Sequence, residues 1–455
     1  MIITIRNLGP IEEARIDLTK PLTILCGMNS TGKTYAAYII YHLLHNFRSI
    51  TFGRFEAVEK FNEETSFEIT ADDIELWRKI VETGVAESLP QIFGIPESEA
   101  RTAFSRFGIE IDLGENPLSV FARHKGGGSI AIGSHRIVRW SKAAGSNAIV
   151  FKPLDEMDYA VGTIGINAIV STLVSKAIRD SFLHTERMAR MLTVERNSIY
   201  TFKSELTLHR LDFVEEIAEG DDTEQIVRRA PRYPQAVSDS LRTAADLENV
   251  AKRESGFPAI AEMLESYVLK GAVSVGEHGE VLFAPSTAAA TRLRIQMSSS
   301  LVKTLSSLDI YLRHLAAKGE YLIIDEPEMN LHPELQRLLA RVFARMVNEG
   351  IRLIISTHSD YIIREINALI MAHSLKEKGD TATAARFAIG DSLMLAPGSI
   401  QPLFFTLDEN GRSTAQRIAP DDYGFQIASI DAAIDSQNEM TLTLADALDS
   451  YQTEE

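Results

Sequence analysis

Apolar and polar residues alternate from the start of the chain. ITIRNL (3–8) and IEEARIDL (11–18) carry a period of two around Gly9-Pro10, which predicts an antiparallel hairpin. LTILC (22–26) is apolar throughout and predicts a buried strand. Over 34–47 (TYAAYIIYHLLHNF) the period becomes that of a helix. Residues 55–89 are charged and mostly helical in pattern. Residues 108–153 read as strands, with Gly126-Gly127-Gly128 as a hairpin turn, and 155–192 read as helical again. Helices over 235–270 precede a hairpin over 273–285 turning at His278-Gly279.

The later part of the chain is more regular. Leu301, Leu305, Leu308, Leu312 and Leu315 fall at helical spacing behind Ser298-Ser299-Ser300, which suit a helix N-cap. Leu322, Ile323 and Ile324 predict a buried parallel strand ending on Asp325 and Glu326, with Pro327 stopping it. A helix begins at Pro333, carries Leu335, Leu338, Leu339, Val342, Phe343 and Met346 on one face, and ends near Gly350. RLIIS (352–356) is the next buried strand, running into Thr357-His358-Ser359. A helix from Asp360 to about Lys376 and a hairpin turning at Asp408-Glu409-Asn410-Gly411 follow. From Ile418 on there are nine acids and no Lys or Arg, the pattern of a solvated helical tail. There is no internal repeat.

Composition narrows the class. A hydrophobic content of 45% and a charged content of 24% are ordinary for a globular protein, and the length suggests two or three lobes. The net charge of −17 argues against a surface that grips nucleic acid everywhere. A local basic strand remains in HRIVRWSK (135–142), which alternates basic with apolar residues. It suits either a nucleic-acid-facing strand with Trp140 for stacking or an edge strand guarded by its charges. Arg228, Arg229 and Arg232 form a second basic cluster, read as a loop rim. Cys26 is the only cysteine, so no intrachain disulfide can form. The start lacks a signal-peptide layout, and the most apolar helical stretch, 164–178, is too short to span a bilayer. The expectation is a cytoplasmic protein.

Two motifs carry chemistry. Gly27-Met28-Asn29-Ser30-Thr31-Gly32-Lys33-Thr34 is a complete GxxxxGK(S/T) phosphate loop between a predicted strand and a predicted helix. Its backbone N–H groups would curl round ATP phosphates, Lys33 would neutralise their charge, and the Thr34 hydroxyl would ligate Mg²⁺. The second motif is the Asp325-Glu326 pair. Carboxylates at the end of a buried strand are poorly explained by packing, and ligands of open α/β sheets bind outside that end. Read alone, the pair could belong to an acidic loop, the three serines could be only a cap, and His358 could be structural. Thr193-Val194-Glu195-Arg196-Asn197-Ser198 is a further acid–base pair at a strand end.

A phosphate loop, an hhhDEPE strand, an NLHP turn and a strand ending in THS, in that order, resemble the ABC-type ATPases. Among these they are similar to the prokaryotic ATPases related to the overcoming-lysogenization-defect (OLD), chromosome-maintenance and RecF groups. NLGPIEEARIDL, TGKTYAAYIIY and residues 297–334 resemble the ATPase subunits of bacterial anti-phage systems such as PARIS and Septu. The resemblance implies an α/β head with a mixed sheet flanked by helices, and a large α+β lobe inserted between the Walker A and Walker B motifs. Residues 1–50 and 286–376 would form the head, 51–285 the inserted lobe, and 377–455 a C-terminal hairpin and acidic tail.

It also implies roles. Asp325 would hold Mg²⁺ with Thr34, Glu326 would polarise the attacking water, and His358 would sense the γ-phosphate. Asn330 to Pro333 would form a D-loop at a subunit interface. Ser299 or Ser300 would stand at the signature serine and reach ATP bound by a second copy. Two departures stand out: MSSSLVK replaces the glycine-bearing LSGGQ signature, and no Q-loop glutamine is evident. The stretch after His358 lacks a DxD-type acidic centre, so an associated nuclease would be a separate chain. The implied function is an ATPase whose nucleotide-dependent head-to-head assembly controls a separate effector, a nuclease or toxin, in anti-phage defence. The alternative is a RecF- or SMC-like ATPase acting on DNA. The long insertion and altered signature argue against a transporter ATPase.

Overall fold

Nine strands form one mixed sheet through the computed structural model, which describes residues 1–45, 65–132, 135–153, 166–183, 185, 189–201, 233–288, 291–427, 436–446 and 448. In chain order the strands are β1 (Ile2–Leu8), β2 (Ile11–Asp17), β3 (Leu22–Gly27), β4 (Gly108–Asp112), β5 (Arg190–Leu192), β6 (Tyr321–Asp325), β7 (Arg352–Thr357), β8 (Ile400–Leu407) and β9 (Ser413–Arg417). Across the sheet the order is β4-β1-β2-β9-β8-β3-β7-β6-β5. The five strands from β8 to β5 run parallel, and antiparallel pairs (β1 with β2 and β4, β8 with β9) fill the other side. This is an α/β fold, a mixed sheet flanked by helices.

The strands of the two motifs are not neighbours. β7, which ends in Thr357 before His358, lies between β3 and β6. Its register aligns Thr357 with Cys26 and Ser356 with Asp325, so the carboxyl ends of all three strands are level. That alignment gathers residues from three distant stretches at one edge, the place where such sheets bind ligands.

Alternation along the parallel strands divides the core in two. Leu25, Ile323, Ile354, Leu403 and Phe405 face α1 (Lys33–His45), α2 (Ala71–Glu87) and α3 (Ile166–Leu183). Ile24, Cys26, Leu322, Ile324, Leu353 and Ile355 face α4 (Ser300–Ile310), α5 (Pro333–Asn348) and α6 (Asp360–Glu377). Each predicted helix here forms for its predicted reason. Ser299 caps α4, Pro333 opens α5, and the stripe Leu339, Val342, Phe343 and Met346 is fully buried, each large side chain contributing about 1.5–3 kcal/mol. Cys26 is a core residue, its thiol donating to the Leu403 carbonyl at 3.3 Å and pushed up to about 12 by burial. No helix among the described residues is long and apolar enough to cross a membrane.

The central sheet draws on more of the chain than the motifs do. From 51–285 it takes β4, which pairs with β1, and β5, which pairs with β6. The β8–β9 hairpin from 377–455 sits between β3 and β2. A separate four-stranded sheet orders Thr65–Glu68, Ala148–Pro153, His135–Lys142 and Gly126–Ile132.

Three sequence readings change here. Gly126, Gly127 and Gly128 are strand residues rather than a turn: a Cβ on Gly128 would come within 3.1 Å of the Trp140 indole, so the glycines make room for that ring. Within 155–192 the described residues are the helix α3 and the strand β5, not helix throughout. Trp140 and Lys142 are buried at 2% exposure each, so Trp140 is not presented for base stacking. The Lys142 ammonium instead donates to the carbonyls of His124 at 2.7 Å and Ala122 at 3.2 Å, over the Phe121 ring. Arg139 is exposed. The Arg228, Arg229 and Arg232 cluster lies outside the described residues, as do the side chains of His135 and Arg136.

Candidate active site

The phosphate loop leaves β3 through backbone that few side chains allow. Gly27 has φ +136°, and a Cβ there would sit 2.3 Å from the Phe405 carbonyl oxygen on the adjacent strand. Gly32 has φ +94° and is closed in by Ile11 at 2.5 Å, while Ser30 between them adopts φ +63°. Asn29 and Ser30 form the exposed tip; Thr31 turns inward and donates to the Met28 carbonyl at 2.9 Å. Lys33 opens α1, and its ammonium donates to the carbonyls of Met28 at 2.6 Å and Gly27 at 3.1 Å. Gly27→Ala is therefore expected to destabilise the fold by about 2–4 kcal/mol, from strain and overlap together. A lowered Tm in thermal melting would register it; an unchanged Tm would mean that β8 yields freely.

Across the cleft, the Thr34 hydroxyl donates to Asp325 Oδ2 at 3.0 Å, although nearly three hundred residues separate them in sequence. Ser356 on β7 donates to Asp325 Oδ1. Burial pushes the Asp325 carboxyl up, while the hydroxyls of Ser356 and Thr34 pull it back. A hydroxyl beside a carboxylate, both hard oxygens, fits Mg²⁺, which takes one or two carboxylates and completes its shell with water and phosphate.

Glu326 breaks from the strand at φ +46°, a left-handed conformation that costs roughly 1–2 kcal/mol for a residue with a Cβ. Its side chain is half-buried and lies 3.4 Å from His358 Nε2. That contact, and then the charge of Lys33, hold its carboxyl below the usual range, so it is ionised at neutral pH. Glu328 supports the histidine from behind, accepting from the His358 backbone N–H at 2.6 Å and the Thr357 hydroxyl at 2.9 Å.

Arg196 lies beneath the strand end at 2% exposure. It donates to the main-chain carbonyls of Asp325 and Glu326, both at 2.6 Å, and of Thr193 at 2.9 Å. Burial lowers its guanidinium to about 10, against the pull of Asp325, Glu328 and Glu326, and it remains a cation at neutral pH. Motif reading marked Arg196 without a role and passed over Ser356 and Glu328. An arginine directly after a strand end was the available signal.

The fold thus brings together Gly27 to Thr34, Asp325, Glu326 and His358. Ser299 and Ser300 are exposed at the N-terminus of α4, where Ser299 caps the helix by accepting from the Val302 N–H. Among the described residues no hydrogen bond links either serine to the phosphate loop of the same chain. Asn330, at φ +63°, donates to Thr304 on α4 at 3.2 Å and ties the NLHP turn to that helix.

The site defines a P-loop ATPase in which a Walker A lysine and threonine meet a Walker B acid pair. A family model described as an AAA ATPase domain matches residues 1–92 and 193–363, and the chain belongs to that family. No curated protein matches it. Solved structures with overlapping folds include an Smc head bound to the C-winged helix domain of ScpA (10% identity, TM-score 0.36, covering 92% of this chain and 97% of that one). An Smc head with an extended coiled coil, bound to the C-terminal domain of ScpA derived from Pyrococcus furiosus, gives 11% identity and TM-score 0.34 over 97% and 98%. An SMC head domain from Thermotoga maritima gives 10% identity and TM-score 0.33 over 92% and 98%.

Proposed function

We propose that this protein hydrolyses ATP and uses the ATP-bound state to assemble head to head and control a separate effector protein in anti-phage defence. The observation that carries the hydrolytic part is the convergence of Thr34, Asp325, Glu326 and His358 at level strand ends. In this reading the Walker A N–H groups and Lys33 bind the phosphates, and Asp325 with Thr34 holds Mg²⁺. When bound, Mg²⁺ supplies positive charge beside the phosphate oxygens. Glu326, ionised and 3.4 Å from His358 Nε2, orients a water and accepts its proton, while His358 reports on the terminal phosphate. Ser299 and Ser300, exposed at the N-terminus of α4, complete the site of a second copy.

The effector part rests on the resemblance of the first fifty residues and of 297–334 to the ATPase subunits of such systems. The burial of Trp140 and Lys142 takes these two residues away from a DNA-facing surface, while Arg139 on the same strand is exposed. The test is a pulldown of Glu326→Gln protein with ATP and Mg²⁺ from cells expressing the neighbouring genes. A stoichiometric protein partner without DNA is expected; DNA without a protein partner would replace this reading with the chromosome-associated one.

A further inference from the structure

We propose that Arg196 is a positioning residue for ATP hydrolysis: it fixes the main chain of Glu326 so that the carboxylate stands against His358 at the phosphate loop. The inference rests on the reading of Glu326 as the base.

Glu326 occupies a left-handed conformation at the end of a buried strand, and such backbone persists only where its surroundings hold it. Both of its main-chain groups are held. The N–H is shared between the Ser356 carbonyl and the Ser356 hydroxyl, each at 3.1 Å. The carbonyl takes a charge-assisted hydrogen bond from Arg196 at 2.6 Å, and the preceding carbonyl takes a second. A guanidinium spans two successive carbonyls because its donors are fixed in a plane; a lysine ammonium on a flexible stem cannot reproduce that fork.

Buried arginines normally answer a carboxylate. Arg196 instead donates to three main-chain carbonyls, two of them at the acid pair. It also links two machines. The Arg196–Ile199 turn that carries it packs on α4. The helix presenting Ser299 and Ser300 thus bears on the residue that sets Glu326, which gives a second copy docking at those serines a short mechanical path to the base.

The test is a two-by-two cycle in the full chain: wild type, Arg196→Lys, Glu326→Gln and the double variant, each measured for ATP binding, KM, kcat and Tm. The expected result for Arg196→Lys is kcat down about 10²-fold, as misplacement of a reacting group costs, with KM and ATP affinity within about twofold. In the Glu326→Gln background the same substitution should cost nothing further, because Arg196 acts through that carboxylate. A kcat at the wild-type level in Arg196→Lys, with Glu326→Gln inactive, overturns the positioning role alone. An equal loss in both backgrounds overturns it as well, by making Arg196 a general support of the fold. Normal turnover in Glu326→Gln overturns the base assignment and the inference with it. If Arg196→Lys does not fold, Arg196→Gln, which is neutral and keeps an amide donor, takes its place in the cycle.

Discussion

Glu326→Gln is expected to lower ATP turnover by about 10²–10⁴-fold while leaving ATP binding and Tm close to wild type. The substitution keeps the size of the side chain and removes the charge that can take a proton from water. Among the described residues nothing else at the strand ends is placed to replace it. Asp325 is buried and engaged by Thr34 and Ser356, and Glu328 is buried, its Oε1 taken by Thr357 and the His358 main chain and its carboxyl pushed up by burial. His358 touches Glu326 only at 3.4 Å, so it tunes the carboxylate rather than standing in for it. Steady-state phosphate release gives the rate and size-exclusion chromatography with ATP gives the assembly. The variant should remain associated after ATP addition for as long as the nucleotide persists. Wild-type turnover would end the assignment of Glu326 as the base.

How far the chain could be read without coordinates depended on whether the determining interaction is local. The phosphate loop, the acid pair, the caps at Ser299 and Pro333 and the leucine stripe of α4 are short patterns whose causes lie within a few residues, and each stands where the pattern put it. The sheet was a different problem. β5 has three residues, Arg190, Met191 and Leu192, too few to show a period, and it is a strand because Leu322, Ile323 and Ile324 offer it an edge. β8 reads as half of an isolated hairpin, yet it lies beside β3 because five of its residues, among them Leu403 and Phe405, bury against strands from the start of the chain. Trp140 lies in a strand that reads as basic, and the room for its ring is made by the opposing glycines, on another strand. Arg196 is the extreme case. Two of its three partners are main-chain carbonyls in the other half of the chain, and a carbonyl leaves no mark in the sequence.

Lys33→Ala should weaken ATP binding by about 10²-fold, since the lysine supplies charge-assisted hydrogen bonds worth about 1.5–3 kcal/mol to the phosphates. The sharper expectation concerns pH. In the free protein, burial lowers the Lys33 ammonium to about 8, despite the opposing charges of Glu326 and Asp325. Phosphate beside it would raise that value, so the complex binds more protons than the free protein at pH values above about 8. Affinity must then be flat below that point and fall as pH rises through it, by at most tenfold per pH unit. Calorimetric titration with ATP and Mg²⁺ in two buffers of different ionisation heat measures the uptake directly. Close to one proton should be taken up per site at pH 9 and little at pH 7, and Lys33→Ala should abolish the difference. Uptake at pH 9 that survives in Lys33→Ala would assign the titration to another group. Wild-type affinity in that variant would mean that the loop holds phosphate through its N–H groups alone, with the Lys33 ammonium left on the carbonyls of Gly27 and Met28.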